Sequence, residues 1–125
     1  MILLDSNVVS ALMELHVQPE VRLWLRGRNR QELALPAPAL FEVHLGIDIK
    51  PAGRRRRALE AALEEVLTLV DHRVFPLDAR SAALAAEVRA RQKRKGITVE
   101  VPDSLIAGIA LSFGAEIATR NVADF

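Results

Sequence analysis

The chain has 125 residues, of which 50% are apolar, 17 are Lys or Arg, 16 are Asp or Glu and none is Cys. This length suits one domain with its own hydrophobic core, and the lack of cysteine excludes disulfides, thiolate zinc sites and cysteine nucleophiles. The sequence has neither a signal-peptide pattern nor an apolar run of membrane-spanning length, so we expect a cytoplasmic protein without membrane contact.

The N-terminal stretch MILLDSNVVS indicates a strand, a turn and a helix. Its first four residues form an apolar run that is too short for an amphipathic helix and suits a strand buried on both faces. Ser6 and Asn7 offer capping oxygens to a helical pattern of apolar residues that begins at Val8. Asp5 follows the strand, and ligands of open α/β sheets bind at such carboxyl ends.

Strands and helices alternate along the rest of the chain. Helices are expected from Pro19 to about 27 and over about 39–49, 54–71, 79–95 and 102–113, and short strands over 32–35, 74–77 and 116–119. Asp78 is the expected cap of the fourth of these helices. We therefore predict an α/β fold in one domain, with a short parallel sheet of about four to five strands sandwiched between helices.

Several acidic and polar side chains are candidates for one shared crevice. Glu42 lies in an apolar helical stretch, where a carboxylate is costly to bury without a partner. Asp103 opens the last helix, and Thr119, Asn121 and Asp124 follow the last strand. Simpler roles remain open, because Asp5 and Asp103 also suit helix starts and Asp124 also suits a solvated terminus.

Four motifs, LLDSNVVS, FEVHLG, PDSLIAGIA and ATRNVADF, stand in the order and spacing of PIN-domain proteins. The chain resembles in particular the VapC-type toxins of toxin–antitoxin pairs and their FitB-like relatives, over nearly its whole length. The resemblance implies a PIN-like fold, a metal-dependent ribonuclease that acts on RNA, and a partner antitoxin. It also implies a homodimer, a heterotetramer or larger assembly with the antitoxin, and one further short strand that would be missing after Phe125.

The resemblance assigns the candidate residues to roles. It implies that Asp5, Glu42 and Asp103 are catalytic acids that bind Mg²⁺ or Mn²⁺. Asn121 stands where many relatives have a fourth acid, and it is expected to orient waters around the metal. Asp124 is a nearby carboxylate that would join the catalytic set, acting through a water. Because this chain has Asn121 in place of that fourth acid, the number of bound metal ions and their affinity stay open. Ser6 and Thr119 are expected to hydrogen-bond the substrate phosphate or the acids.

Two clusters hold nine of the 17 cations: residues 54–57, and Arg89, Arg91, Lys93, Arg94 and Lys95. Such clusters suit salt-dependent contacts with a phosphate backbone. We expect contacts with nucleic acid from Arg54, Arg55, Arg91, Lys93 and Arg94. The chain has four Phe, one Trp and no Tyr, so base stacking has little support.

Two other functions stay open on the residues alone. One is a non-catalytic module that binds nucleic acid or protein. The other is an aspartyl-phosphate phosphotransfer domain, which also places an Asp after its first strand. The latter is less favoured, because such phosphatases need Asp-x-Asp where this chain has Asp5, Ser6 and Asn7.

Overall fold

The structure is a computed structural model that describes residues 1–14 and 19–119. Its strands are β1 (Ile2–Leu4), β2 (Leu33–Pro36), β3 (Val74–Phe75) and β4 (Glu116–Ala118). In the described residues the helices are α1 (Ser6–Met13), α2 (Pro19–Arg26), α3 (Ala37–Asp48), α4 (Arg54–Leu69), α5 (Ala79–Arg94) and α6 (Val101–Phe113). A 3₁₀ turn, Arg30–Glu32, precedes β2.

The four strands form one sheet in the order β3-β2-β1-β4, and every pair is parallel. In β1, Leu3 lies opposite Ala34 on one side and Ile117 on the other. The predicted α/β fold with a parallel sheet is therefore confirmed. Some limits of helices and strands differ from the predicted ones: α3 begins at Ala37 rather than near 39, and β3 ends at Phe75 rather than at 77.

Successive residues of β1 pack into two separate helical layers. Ile2 and Leu4 join the larger core, to which α1, α3 and α4 contribute. Leu3 joins a second core with Ile109 and Ala110 of α6. Because side chains of a strand point alternately to opposite faces, a strand covered on both sides is a continuous apolar run. None of the helices in the described residues combines the length and apolar character needed to cross a lipid bilayer.

Two aspartates begin helices. At α5 the predicted cap is confirmed: Asp78 and Ser81 form a reciprocal capping box, and hydrogen bonds from Ser81 hold the pKa of Asp78 below its usual range. At α1 the predicted caps Ser6 and Asn7 are wrong, because Asp5 is the cap. Its carboxylate stands where the strand ends and reaches the Val8 N–H, so the helix already includes Ser6.

Helices α5 and α6 pack closely at Gly108, which is buried. A Cβ atom built there would lie 2.7 Å from both the backbone nitrogen and the Cβ of Ala85, and closer still to the Ser81 carbonyl oxygen. Two of these three atoms are backbone, so they cannot move aside as a flexible side chain would. The absence of a side chain at Gly108 therefore sets the distance between the two helices.

We expect Gly108→Ala to lower the free energy of unfolding by about 1–3 kcal/mol, because the added methyl group must separate α5 from α6. Gly46→Ala is the matched control. Gly46 also lies in a helix, α3, but a Cβ there meets no atom within 4 Å. Chemical denaturation measures both changes. A Gly108→Ala protein as stable as the Gly46→Ala protein would contradict the close packing.

Candidate active site

Asp5 stands at the carboxyl end of the central strand β1 and is 2% exposed. Its Oδ1 accepts the Val8 N–H at 2.9 Å, and its backbone N–H donates to the Ala118 carbonyl oxygen at 3.1 Å. The first bond satisfies a free N–H of the helix start, and the second ties the strand end to β4. Both bonds fix the position of a buried carboxylate at the edge where ligands of parallel sheets bind.

Glu42 lies on α3 between the exposed Phe41 and the buried Val43. Its side chain is partly buried, and its Oε1 is shielded from solvent and has no hydrogen-bond partner among the described residues. Buried polar atoms almost always have a partner, since an unpaired carboxylate oxygen is costly. This atom is therefore suited to bind a cation, a water molecule or a donor group of a ligand.

Asp103 lies in the first turn of α6 and is partly buried. Its helix packs against α3, which also packs against α1. The helices that carry Glu42 and Asp103, and the helix capped by Asp5, are therefore neighbours. Within residues 1–14 and 19–119, however, no group of three or more Asp, Glu or His side chains is arranged to hold a metal ion. The joint role of the three acids stays a prediction.

Two of the other predicted site residues lie in the described part of the chain. Ser6 is the first residue of α1, and Thr119 directly follows β4; both are partly buried. They lie at the same edge of the sheet as Asp5. Asn121 and Asp124 lie outside the described residues, so their predicted roles are not tested.

A groove of about 1200 Å³ runs between α1, α3 and α4, and Glu42 lies in its wall. We call it the helical groove. Its apolar lining includes Leu12, Met13, Val43, Ile47 and Leu59, and its charged lining is Glu14, Glu42, Lys50, Arg54, Arg55 and Glu65. The groove therefore joins an apolar floor to two of the cations predicted to contact nucleic acid.

The second cationic cluster lies at the end of α5, where Arg91, Lys93 and Arg94 are exposed in the last turn. Arg89 donates to the Val99 carbonyl oxygen and so holds the segment that leads into α6 and Asp103. The cluster thus stands at the same end of the α5–α6 pair as Asp103. Its contact with nucleic acid remains a prediction.

Sequence reasoning missed some of the charged residues that line these surfaces. Glu14, Lys50 and Glu65 were not singled out, because each looks like an ordinary exposed charge on its own helix. Only the packing of α1, α3 and α4 brings them to one groove. The sequence contains no local signal that would have found them.

Comparison with known proteins identifies the fold and the family. The PIN domain family model matches residues 2–123. The chain is 33% identical to the VapC ribonuclease Y4jK of Sinorhizobium fredii, over 100% of the chain and 90% of that protein. It is 31% identical to Toxin FitB of Neisseria gonorrhoeae, over 100% and 91%.

A solved structure agrees with these sequence matches. The crystal structure of FitAcB from Neisseria gonorrhoeae superposes with a TM-score of 0.88 at 31% identity, covering 100% of this chain and 91% of the other. The resemblance seen in the four sequence motifs is thereby confirmed. The chain belongs to the PIN-domain family, within the group that includes VapC and FitB.

Proposed function

We propose that this protein is a metal-dependent endoribonuclease and the toxin of a toxin–antitoxin pair, with Asp5, Glu42 and Asp103 as its catalytic acids. The observation that carries the proposal is the buried Oε1 of Glu42, for which residues 1–14 and 19–119 provide no hydrogen-bond partner. Glu42 lies on α3, which packs against both α1 and α6. The VapC ribonuclease relative supports the reaction class, and the FitB relative supports the role of toxin.

The three acids suit Mg²⁺ or Mn²⁺, which prefer oxygen ligands. Mg²⁺ is usually held by one or two carboxylates together with waters and substrate phosphate, so a closed protein cage is not required. When bound, the ion supplies electrostatic stabilisation to the reacting phosphodiester. The unpartnered oxygen of Glu42 fits such an ion, because a cation would offset its burial.

The chain's own residues divide the remaining work. The hydrogen bond from Val8 holds Asp5 in one orientation, which keeps a ligand position fixed before substrate arrives. Ser6 and Thr119 stand beside it as candidates to hydrogen-bond a substrate phosphate, and Asp124 is a candidate fourth catalytic carboxylate. Arg54 and Arg55 of the helical groove, and the cations at the end of α5, would hold the RNA backbone.

We propose that the antitoxin occupies the helical groove. An apolar floor with charged walls suits a peptide that has both apolar and charged side chains. Because Glu42 lies in the wall of the groove, a peptide bound there would also cover this proposed acid. Solved structures with this fold are VapBC and FitAB complexes of toxin with antitoxin, which supports a partner of this kind.

A second copy of the chain is the proposed partner of the outer face of α3. Phe41, Leu45 and Ile49 follow one another at a spacing of four residues and are 64%, 49% and 74% exposed. Side chains at this spacing form one stripe of a helix, and a stripe of large apolar residues suits an interface. The stripe shares α3 with Glu42, so a dimer would place two sites on one assembly.

A non-catalytic PIN-like module that binds nucleic acid or protein is the second candidate. The specific observation in its favour is that the described residues contain no ready group of three acidic or histidine side chains. The two functions differ in one simple respect: the module would bind RNA and leave it intact.

We expect Asp5→Asn and Glu42→Gln each to reduce Mg²⁺-dependent cleavage of structured RNA by about 100-fold or more, since each removes a charged ligand from the proposed site. Asn is also a good helix cap, so Asp5→Asn keeps the α1 start. Gel analysis of labelled RNA, with Mg²⁺ or with EDTA, measures cleavage. Glu87→Gln, an exposed acid-to-amide change on α5, is the matched control.

The control protein should cleave like wild type. Equal cleavage by all four proteins would identify a contaminating nuclease and remove the support for catalysis. Intact RNA with wild-type protein and either metal ion would favour the binding module.

We expect Mg²⁺ or Mn²⁺ at saturation to raise the Tm of the wild-type protein by about 5 °C, because a ligand of the folded state stabilises it. Asp5→Asn and Glu42→Gln should lose most of this rise, whereas Glu87→Gln should keep it. In EDTA, Glu42→Gln should melt at or above the wild-type temperature, since a neutral amide costs less to bury than an unpartnered carboxylate. A thermal melt that responds equally in all four proteins would refute metal binding at these acids.

We expect expression of the wild-type chain to arrest bacterial growth, and co-expression of its antitoxin to restore it. Ala58→Glu adds a bulky charge to the exposed wall of the helical groove, so this variant should stay toxic but escape rescue. Ala82→Glu, on the exposed face of α5 outside the groove, should be rescued like wild type. Growth curves measure both.

Rescue of Ala58→Glu to the wild-type level would rule out the groove as the antitoxin site. Light scattering of the purified complex gives its stoichiometry. A complex with one toxin chain would contradict the proposed dimer.

A further inference from the structure

A second pocket lies at the opposite edge of the sheet from Asp5. It holds about 660 Å³ and is lined by residues that precede β2 and β3: Arg28, Asn29, Arg30, Gln31, Thr68, Leu69, Asp71 and Arg73. We call it the arginine pocket. Because the strands are parallel, residues before them gather at the amino edge, whereas Asp5 follows β1 at the carboxyl edge. The pocket is therefore separate from the proposed acids.

The guanidinium groups of the pocket are held in place by uncharged partners. Arg30 donates from Nε to the Leu69 carbonyl oxygen at 3.1 Å and from Nη2 to that of Thr68 at 3.2 Å. Both carbonyls belong to the last turn of α4, and that of Thr68 also accepts the Asp71 N–H at 3.0 Å. The side chain of Arg30 is thus held by residues that lie 38 and 39 positions further along the sequence.

The other two arginines of the pocket, Arg73 and Arg28, also contact uncharged groups. Arg73 donates from Nε to the Leu33 carbonyl oxygen at 3.0 Å and from Nη2 to that of Arg30 at 2.9 Å. The guanidinium of Arg28 lies over the Trp24 ring, 5.2 Å from its centroid. Neutral carbonyls and an aromatic face orient these cations and leave their net charge in place.

The pocket therefore keeps an excess of positive charge. Its lining contains three arginines and one acid, Asp71. In the part of the chain that the structure describes, the ion pairs are both made by Arg56, which lies elsewhere. The carbonyls at the end of α4 carry partial negative charge and offset a fraction of the charge on Arg30. Fixed guanidinium groups with unused N–H donors suit an oxyanion, to which they can donate in pairs.

The lining favours a phosphate over a peptide. Among the described residues that line the pocket, only Leu69 is apolar, so an acidic peptide would find little apolar surface to anchor it. A phosphodiester backbone needs only cations and N–H donors. We propose that the arginine pocket binds a phosphate group of a nucleic-acid backbone, as a sequence-independent anchor remote from the catalytic acids.

This anchor would strengthen RNA binding without touching the bond that is cut. The inference rests on the proposed function in one respect, that RNA is the natural polyanion. Strands of three or four residues, at about 3.3 Å per residue, separate the two edges by roughly 10 Å or more. An RNA segment of several nucleotides is therefore needed to contact both the arginine pocket and the proposed acids.

The test measures binding in EDTA, where the proposed nuclease is inactive. Labelled single-stranded RNA and DNA of one sequence are titrated with wild type, Arg28→Gln, Asn29→Asp and the control Arg80→Gln over a range of salt concentrations. Asn29→Asp keeps the oxygen that accepts the Gln31 N–H but adds a negative charge to the pocket. Arg80→Gln removes an exposed cation on α5 outside it.

We expect Arg28→Gln and Asn29→Asp to weaken RNA binding about threefold or more at low salt. Arg28→Gln should also reduce the slope of log K against log salt by about 0.7, the value of one phosphate contact on a single strand. Arg80→Gln should change neither quantity by as much. Equal losses with RNA and DNA would show that the backbone is held, and a loss with RNA alone would show that the ribose contributes; either result supports a nucleic-acid anchor.

Binding of both pocket variants at wild-type strength, with unchanged Tm, would overturn the inference. Tighter binding of a polyglutamate peptide than of RNA, lost in the same variants, would also overturn it. A chain that binds RNA through Arg28 but cleaves none keeps this inference and loses the proposed function. If the wild-type chain cleaves RNA but Arg28→Gln and Asn29→Asp bind RNA normally, the proposed function stands and this inference fails.

Discussion

The burial of β1 between β2 and β4 is the constraint on which the rest of this structure depends. Leu3 and Leu4 are completely buried, and each faces a different layer of helices. The strand must end where its apolar run ends, and the next residue is Asp5. Its backbone continues the ladder to Ala118 while its carboxylate begins α1. A carboxylate is thus buried at the centre of the sheet edge as a direct result of strand packing.

The same parallel arrangement separates charge across the sheet. The carboxyl edge carries Asp5, and the amino edge carries the arginine pocket. Arginine suits the amino edge because its planar group can bind several carbonyl oxygens and still carry its charge. Lysine has its three donors on one nitrogen, whereas Arg30 and Arg73 each reach two carbonyl oxygens from two separate nitrogens, Nε and Nη2.

The buried Oε1 of Glu42 departs from the rule that buried polar atoms have hydrogen-bond partners, since none of the described residues pairs with it. Proteins usually satisfy the rules of packing and hydrogen bonding, and the exceptions tend to lie at functional sites. Here the rest of α3 is an ordinary packing helix, with Val43 and Ile47 in the larger core. The close contact of α5 with α6 at Gly108 supports the opposite face of the sheet. Glu42 therefore lies in a structure whose helices are well packed on both faces of the sheet.

Much of the architecture followed from the sequence alone. Apolar runs and helical periodicity located the strands and helices, the cap at Asp78 was recognisable, and four motifs indicated the PIN-domain family. The strands, helices and cap are local features, because each depends on residues a few positions apart. The family resemblance depends instead on the order and spacing of the four motifs over nearly the whole chain. The sequence left Asp5, Ser6 and Asn7 all open as the start of α1, since all three are good capping residues; the end of the strand selects Asp5.

Only the tertiary structure decided which distant residues meet. Arg73 and Arg30 are 43 residues apart, and nothing in their neighbouring residues indicates that one holds the other. Gly108 resembles any helical glycine until α5 is packed against it. The apolar neighbours of Glu42 indicated that this acid is costly to bury, but only the packed structure shows which of its oxygens is enclosed. Such contacts arise when the helices close on the sheet, because packing brings together groups that local sequence patterns leave independent.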